Sequence, residues 1–176
     1  MVAIFDAPSD QKSKDGMNGG FRNSKKHVKD MDAVIAYLRE VKSIPIWLVG
    51  TSRGTESVSN IAIHSKQKPA GLVLTSSITV SMKKGKAITE QSLGKISIPT
   101  LIISHEKDSC NVTPAVNTQK IADQLQGAPN VEVKFFSGGD KPLSKPCQAK
   151  SYHGYLGIEK EVVDYISDFI KSNKEY

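Results

Sequence analysis

The chain has 176 residues, with 24 Lys and Arg against 18 Asp and Glu for a net charge of +6. That length suits a single domain, 1–176, with a core of its own, and no apolar run reaches the roughly 18–20 residues that span a bilayer. The lysines are dispersed, with short clusters only at Lys25-Lys26 and Lys83-Lys84-Lys86, and no zinc-finger spacing, RNA-binding aromatic motif or long basic tract accompanies them, so the charge reads as a solvated surface and no nucleic-acid partner is expected.

The opening Met1-Val-Ala-Ile-Phe-Asp-Ala-Pro has neither a basic n-region nor a long apolar h-region, so it carries no export signal and reads as a strand, Val2–Phe5. Asp6–Asn23 follows as a long loop rich in Gly, Ser and Lys, of the kind that is functional or disordered in compact domains. Val28, Met31, Val34, Ile35, Leu38 and Val41 then recur at helical spacing, with Ser24 placed to cap the start. A buried strand, Ile44–Val49, runs directly into Gly50-Thr51-Ser52-Arg53-Gly54, and Thr55–His64 continues as a helix. The strand Gly71–Thr75 leads into Ser76–Ser97, which holds Lys83, Lys84 and Lys86 and is too short for a large cap; the lysines read as solvated, with an open pocket rimmed by them as the alternative. Thr100–Ser104 is the fourth strand, a helix occupies about Ala115–Leu125 after Pro114, and Val131–Phe136 is the fifth strand. Ser137–Tyr152 is a second long loop, and the last helix carries Ile158, Val162, Val163, Ile166, Phe169 and Ile170 before a polar tail, Lys171–Tyr176, that should fray. Strands alternating with helices predict an α/β class with a mainly parallel sheet of about five strands flanked by helices.

The Gly-x-Ser-x-Gly pattern is weak alone, but here it joins a strand to a helix. In such a turn Ser52 stands above the sheet edge and the N–H of Arg53, at the helix start, points to where an oxyanion forms. Gly50 and Gly54 are expected because side chains there would collide with neighbouring backbone. After the strand Thr100–Ser104 comes His105-Glu-Lys-Asp108-Ser-Cys110, at the carboxyl end of a parallel strand where catalytic groups gather. Asp108 is the candidate acid and Glu106 its near competitor. Ser151-Tyr152-His153-Gly154-Tyr155 follows the last strand, and His153 completes the chain order Ser, Asp, His; His27, His64 and His105 do not follow the acid by a strand. In that series His153 takes the Ser52 proton and Asp108 orients the imidazole, the chemistry of an acyl-enzyme hydrolase acting on a small-molecule ester or related acyl substrate. Nothing in the sequence calls for a cofactor, and no third or fourth ligand has the spacing for a metal.

Cys110 and Cys147 are the only cysteines. One lies in the acid loop and the other in the loop leading to His153, so a catalytic triad would make these loops neighbours and a disulfide sterically feasible, with two free thiols as the alternative. A bridge would imply an oxidising compartment, periplasmic or secreted.

With strand, elbow, helix, Asp108 and His153 in order, the chain resembles the α/β-hydrolase superfamily over nearly its whole length. Asp6-Ala-Pro-Ser-Asp10, Phe21-Arg22, Gly50-Thr-Ser-Arg-Gly54, the Asp108/Cys110 loop and Cys147 through Glu159 together resemble a group of bacterial, exported hydrolase-like proteins of undefined substrate. The resemblance implies Ser52, Asp108 and His153 as a triad and a Cys110–Cys147 bridge. It also implies an N-terminally abbreviated fold, because such hydrolases have several strands before the one ending at Asp6, and a loop after one of them supplies a second oxyanion donor. An abbreviated fold exposes a sheet edge, through which a homo-oligomer is expected. The rival to an enzyme is a non-catalytic hydrolase-fold module that binds a ligand or partner. A nucleotide-binding domain is disfavoured because Asp6-Ala-Pro-Ser, not a Gly-rich phosphate loop, follows the first strand.

Overall fold

The computed structural model describes residues 1–11, 16–83 and 85–173. A 3₁₀ turn, Ser9–Gln11, and a short helix α1, Gly19–Arg22, precede α2, Lys25–Val41. The chain then alternates β1 (Trp47–Thr51), α3 (Arg53–His64), β2 (Gly71–Thr75), β3 (Thr100–His105), α4 (Thr118–Gln124), β4 (Val131–Phe136) and α5 (Glu159–Ser172). The four strands form one parallel sheet in the order β1-β2-β3-β4.

β2 and β3 are buried along their whole length, as a parallel sheet covered on both faces requires. Side chains alternate between faces along a strand: Leu72, Leu74 and Ile102 join Ile35, Ile61 and Ile121 from the helices α2, α3 and α4, while Val73, Leu101 and Ile103 join Val162 and Phe169 of α5. The sheet is thus a middle layer between three helices and one. Ser24 caps α2 by accepting from the His27 N–H, as its position foretold. Among the described residues no helix is long and apolar enough to cross a membrane.

The structure corrects the sequence reading in several places. Four strands pair where five are expected, because Val2–Phe5 is not a strand; Val2 and Ile4 are 87% and 94% exposed. A strand exists only by hydrogen bonding to another, and this segment forms no ladder with β1. β1 starts at Trp47, past Pro45, which has no N–H for a ladder, and extends through Gly50 and Thr51. α3 starts at Arg53, two residues earlier than expected, so Ser52 itself is the joint. Of the loop Asp6–Asn23, part is helical turn and residues 12–15 lie outside the described set, as do Lys84 and residues 174–176 of the tail. Ser76–Ser97 is more deeply packed than a solvated loop: Ile78, Ile88, Leu93 and Ile96 are fully buried, Ile88 and Leu93 on the 3₁₀ turns Ile88–Glu90 and Leu93–Lys95, while Lys83 and Lys86 stay exposed and border an open cleft with Asn18 and Asn23.

Candidate active site

β1 delivers Ser52 to the carboxyl edge of the sheet in a conformation that L-residues rarely adopt, φ 51° and ψ −120°. Such backbone costs on the order of 1–3 kcal/mol and persists only where its surroundings hold it. Here the Ser52 N–H donates to the Thr75 carbonyl at 3.0 Å, and the Ser52 carbonyl accepts from both the N–H and the hydroxyl of Thr55, at 2.9 and 2.6 Å. The Thr55 hydroxyl in turn accepts from the Ile78 N–H. Gly50 is required, since a Cβ there would stand 2.5 Å from Val58 and 2.8 Å from the Gly54 carbonyl. The same expectation for Gly54 fails: a Cβ would meet nothing within 4 Å.

The Arg53 N–H, on the first residue of α3, has no acceptor among the described residues, as the first N–H groups of a helix do not. The Arg53 side chain turns elsewhere. Its Nε lies 2.9 Å from Oε2 of the fully buried Glu56, and Nη1 donates to the Met82 sulfur. Burial raises the Glu56 carboxyl above the ordinary range, against the pull of Arg53 and Arg22. This cluster ties the turn at Met82–Gly85 onto α3.

Asp108 and His153, 45 residues apart, meet at 2.9 Å between Oδ2 and Nδ1, both buried. Asp108 is held on both oxygens: the Cys110 N–H donates to Oδ1 and the Thr113 hydroxyl to Oδ2, each at 2.9 Å. The Thr113 oxygen also lies 3.1 Å from His153 Nδ1. With the carboxylate an acceptor, Nδ1 carries the proton and Nε2 is left free to accept one. His153 sits in a 3₁₀ turn, Tyr152–Gly154, capped by the Ser151 hydroxyl. Ser76, at the end of β2 with φ 44°, donates to the His153 carbonyl at 2.8 Å, and Tyr155 Oη donates to the Ile103 carbonyl. Gly154 is needed for the turn, since a Cβ there would fall 2.0 Å from the Ala149 carbonyl.

Cys110 and Cys147 form a disulfide with Cα atoms 4.7 Å apart. It joins the loop of Asp108 to the loop leading to His153.

Ser52 Oγ makes no hydrogen bond to His153. Catalytic hydrogen bonds are often long before substrate binds. The other candidates lie elsewhere: Glu106 is exposed, His64 is exposed on α3, and His27 is buried on α2. His105 is buried but occupied, with Nδ1 accepting from the Lys107 N–H, Nε2 against the Gly138 carbonyl and the ring stacked on Tyr152 at 4.8 Å. Sequence reasoning missed Thr113, Ser76 and Tyr155. Thr113 follows Asp108 by five residues and immediately precedes Pro114, where it reads as turn punctuation; nothing local marks Ser76.

No protein-family model matches the chain, and no curated protein matches it in sequence. Solved structures do match in shape. The chain is similar to Est816, described as an N-acyl homoserine lactone degrading enzyme (TM-score 0.56, 16% identity, 81% of this chain and 74% of that one). It is similar also to a cold-adapted esterase from an Arctic intertidal metagenomic library (0.57, 13%, 81% and 54%) and to an alpha-beta serine hydrolase homologue from Coxiella burnetii (0.53, 20%, 82% and 57%). The chain thus spans little more than half the length of the latter two. At these identities the likeness is one of fold: a parallel sheet flanked by helices in the α/β-hydrolase arrangement.

Proposed function

We propose that this chain, built on the α/β-hydrolase fold, is a serine hydrolase that cleaves a carboxylic ester or related acyl substrate through an acyl-enzyme. The observation that carries the reading is Ser52 on a strained strand-to-helix joint at the same sheet edge as a buried, hydrogen-bonded Asp108–His153 pair. In this reading Ser52 Oγ attacks the acyl carbon as His153 Nε2 takes its proton. The carbonyl oxygen becomes an oxyanion facing the Arg53 N–H. Collapse breaks the bond to the leaving alkoxide, which receives the proton from His153. Water, activated by the same nitrogen, then adds to the acyl-enzyme, and its collapse releases the acid and restores Ser52. Asp108 keeps the proton on Nδ1 and stabilises the imidazolium. The disulfide fits a protein that works in an oxidising compartment.

The test is intact-mass detection of a covalent adduct after incubation with a fluorophosphonate, with Ser52→Ala and His153→Ala alongside. The expected result is one adduct on the wild-type chain and none on either variant. A folded wild-type chain that forms no adduct rejects the hydrolase and leaves a binding module on a hydrolase fold.

A further inference from the structure

Arg53 offers its backbone N–H beside Ser52, and its side chain leads from there to a basic cleft. The cleft, of about 610 Å³, lies between α1 and the turn Met82–Gly85. Lys83 and Lys86 border one wall and Asn18 and Asn23 the other, and among the described residues no acidic side chain lines it. Both lysines are exposed, and neither has an acidic partner among the described residues. Asn18 Oδ1 accepts from the Phe21 N–H, which leaves the Asn18 amide nitrogen as a donor.

The Arg53 head meets this cleft at Met82 and Gly85, which both line it. Nη1 donates to the Met82 sulfur, and a Cβ at Gly85 would stand 3.1 Å from Nη2 and 2.9 Å from Glu56 Oε1, so a side chain there would press on both. Nε is held by Glu56 at 2.9 Å, whereas Nη2 has no acceptor among the described residues, and the side chain is 34% exposed. The charges around it do not balance. Arg22, half-buried on α1, lies close enough to Arg53 that burial and that second guanidinium hold it below the ordinary arginine range. Its Nε and Nη1 donate to neutral acceptors, the Met17 carbonyl and the Ser57 hydroxyl. Glu56 is the only carboxylate among the described residues in an ion pair with either arginine, and burial raises it. Charges withdrawn from water are paired or given up, and an arginine does not give up its proton. The cluster is at least one negative charge short, with two further cations on its rim.

We propose that the missing charge is a carboxylate of the substrate, so that the enzyme acts on acyl substrates whose acyl chain ends in a carboxylate lodged in this cleft. The proposal rests on the hydrolase reading and narrows its substrate class. The acyl carbon sits at Ser52 Oγ with its oxygen toward the Arg53 N–H, and the acyl chain follows the Arg53 side chain to Nη2 and the two lysine heads. A carboxylate suits these donors because it is planar, carries one charge and has two oxygens, one for the guanidinium and one for an ammonium. An uncharged acyl chain would leave the surplus unpaired.

The labelling rate of Ser52 tests this without a chosen ester. The probes are ethyl alkylfluorophosphonates with butyl, hexyl and octyl chains ending in a carboxylate, each compared with the same probe ending in an uncharged carboxamide. Ser52 Oγ bonds to phosphorus as fluoride leaves, and intact mass follows the adduct. At low ionic strength the carboxylate probe of at least one length should label about tenfold or more faster than its carboxamide, as a charge-assisted hydrogen bond allows. That ratio should fall toward one as salt is raised, and likewise in the double variant Lys83→Gln/Lys86→Gln, in which both changes are on exposed side chains; a ratio taken within one chain cancels any general loss of rate. A ratio of one or less at every length would overturn the proposal and leave the hydrolase standing. A preference that survives both the lysine changes and high salt would place the anion elsewhere and overturn it too. A folded chain that no probe labels rejects the hydrolase reading, and this one with it.

Discussion

Asp108 has no free oxygen: Cys110 N–H occupies one, and the Thr113 hydroxyl and His153 share the other. The Thr113 hydroxyl has one proton, and the carboxylate is the better acceptor, so Thr113 orients Asp108 rather than competing with it. A hydrogen bond to a charged group is worth about 1.5–3 kcal/mol. Thr113→Val should therefore lower kcat roughly 10- to 100-fold with KM little changed, whereas Thr113→Ser should restore most of the rate; equal loss in both would mean that the methyl packing, not the hydroxyl, matters. His27 governs stability instead. Its folded-state pKa lies below the ordinary 6.5, so the unfolded chain takes up a proton first as pH falls. The contribution is complete above about 6.5 and is lost below it, by at most about 1.4 kcal/mol per pH unit. Urea unfolding at pH 7.5 and 5.5 should show wild type losing more than His27→Leu. Glu56, raised by burial, has the opposite sign and cancels from that difference.

At the scale of elements, three devices set the candidate site. The Gly50–Ser52 joint is locked to β2 and to Thr55, the 3₁₀ turn of His153 hangs from Ser76, and the disulfide couples the acid loop to the loop before His153. The bridge spans 37 residues, for which the chain-entropy relation gives about 4 kcal/mol. Replacing Cys110 and Cys147 by Ser should lower stability by about that amount in denaturant unfolding. Activity should fall further than the folded fraction explains, because the loop that holds the residue-110 N–H against Asp108 loses its tether. An unchanged rate in the folded variant would show that the loops meet without the bridge.

The whole molecule rests unequally on its two sides. Three helices cover one face of the sheet, while α5 alone covers the other, docked by Phe169 edge-on to Trp47 at 5.8 Å and by Val162 in the cluster beneath it. Removing a buried Phe side chain costs about 3–5 kcal/mol. For a chain of this size Phe169→Ala should lower Tm by roughly 6–20 °C, readable by scanning calorimetry.

The alternation of short β-rich runs with helical periods was enough to specify a parallel α/β layer, because both periodicities are local and parallel strands need crossovers. The chain order Ser52, Asp108, His153 could be read too, since each follows a strand and parallel strands bring their carboxyl ends to one edge; of the three, Asp108 and His153 meet in the structure. Local pattern also made Val2–Phe5 look like a strand, yet only a paired neighbour can make one, and these residues pair with no strand of the sheet. The side chains around Asp108 and His153 were beyond reach for the same reason: Thr113, Ser76 and Tyr155 contribute through contacts 5 to 77 residues away in the chain, and no periodicity encodes those. Sequence by itself determined the elements and their order; tertiary structure alone decided which hydrogen bonds close between them and which edge stays open, because unpaired backbone is a property of neighbours in space.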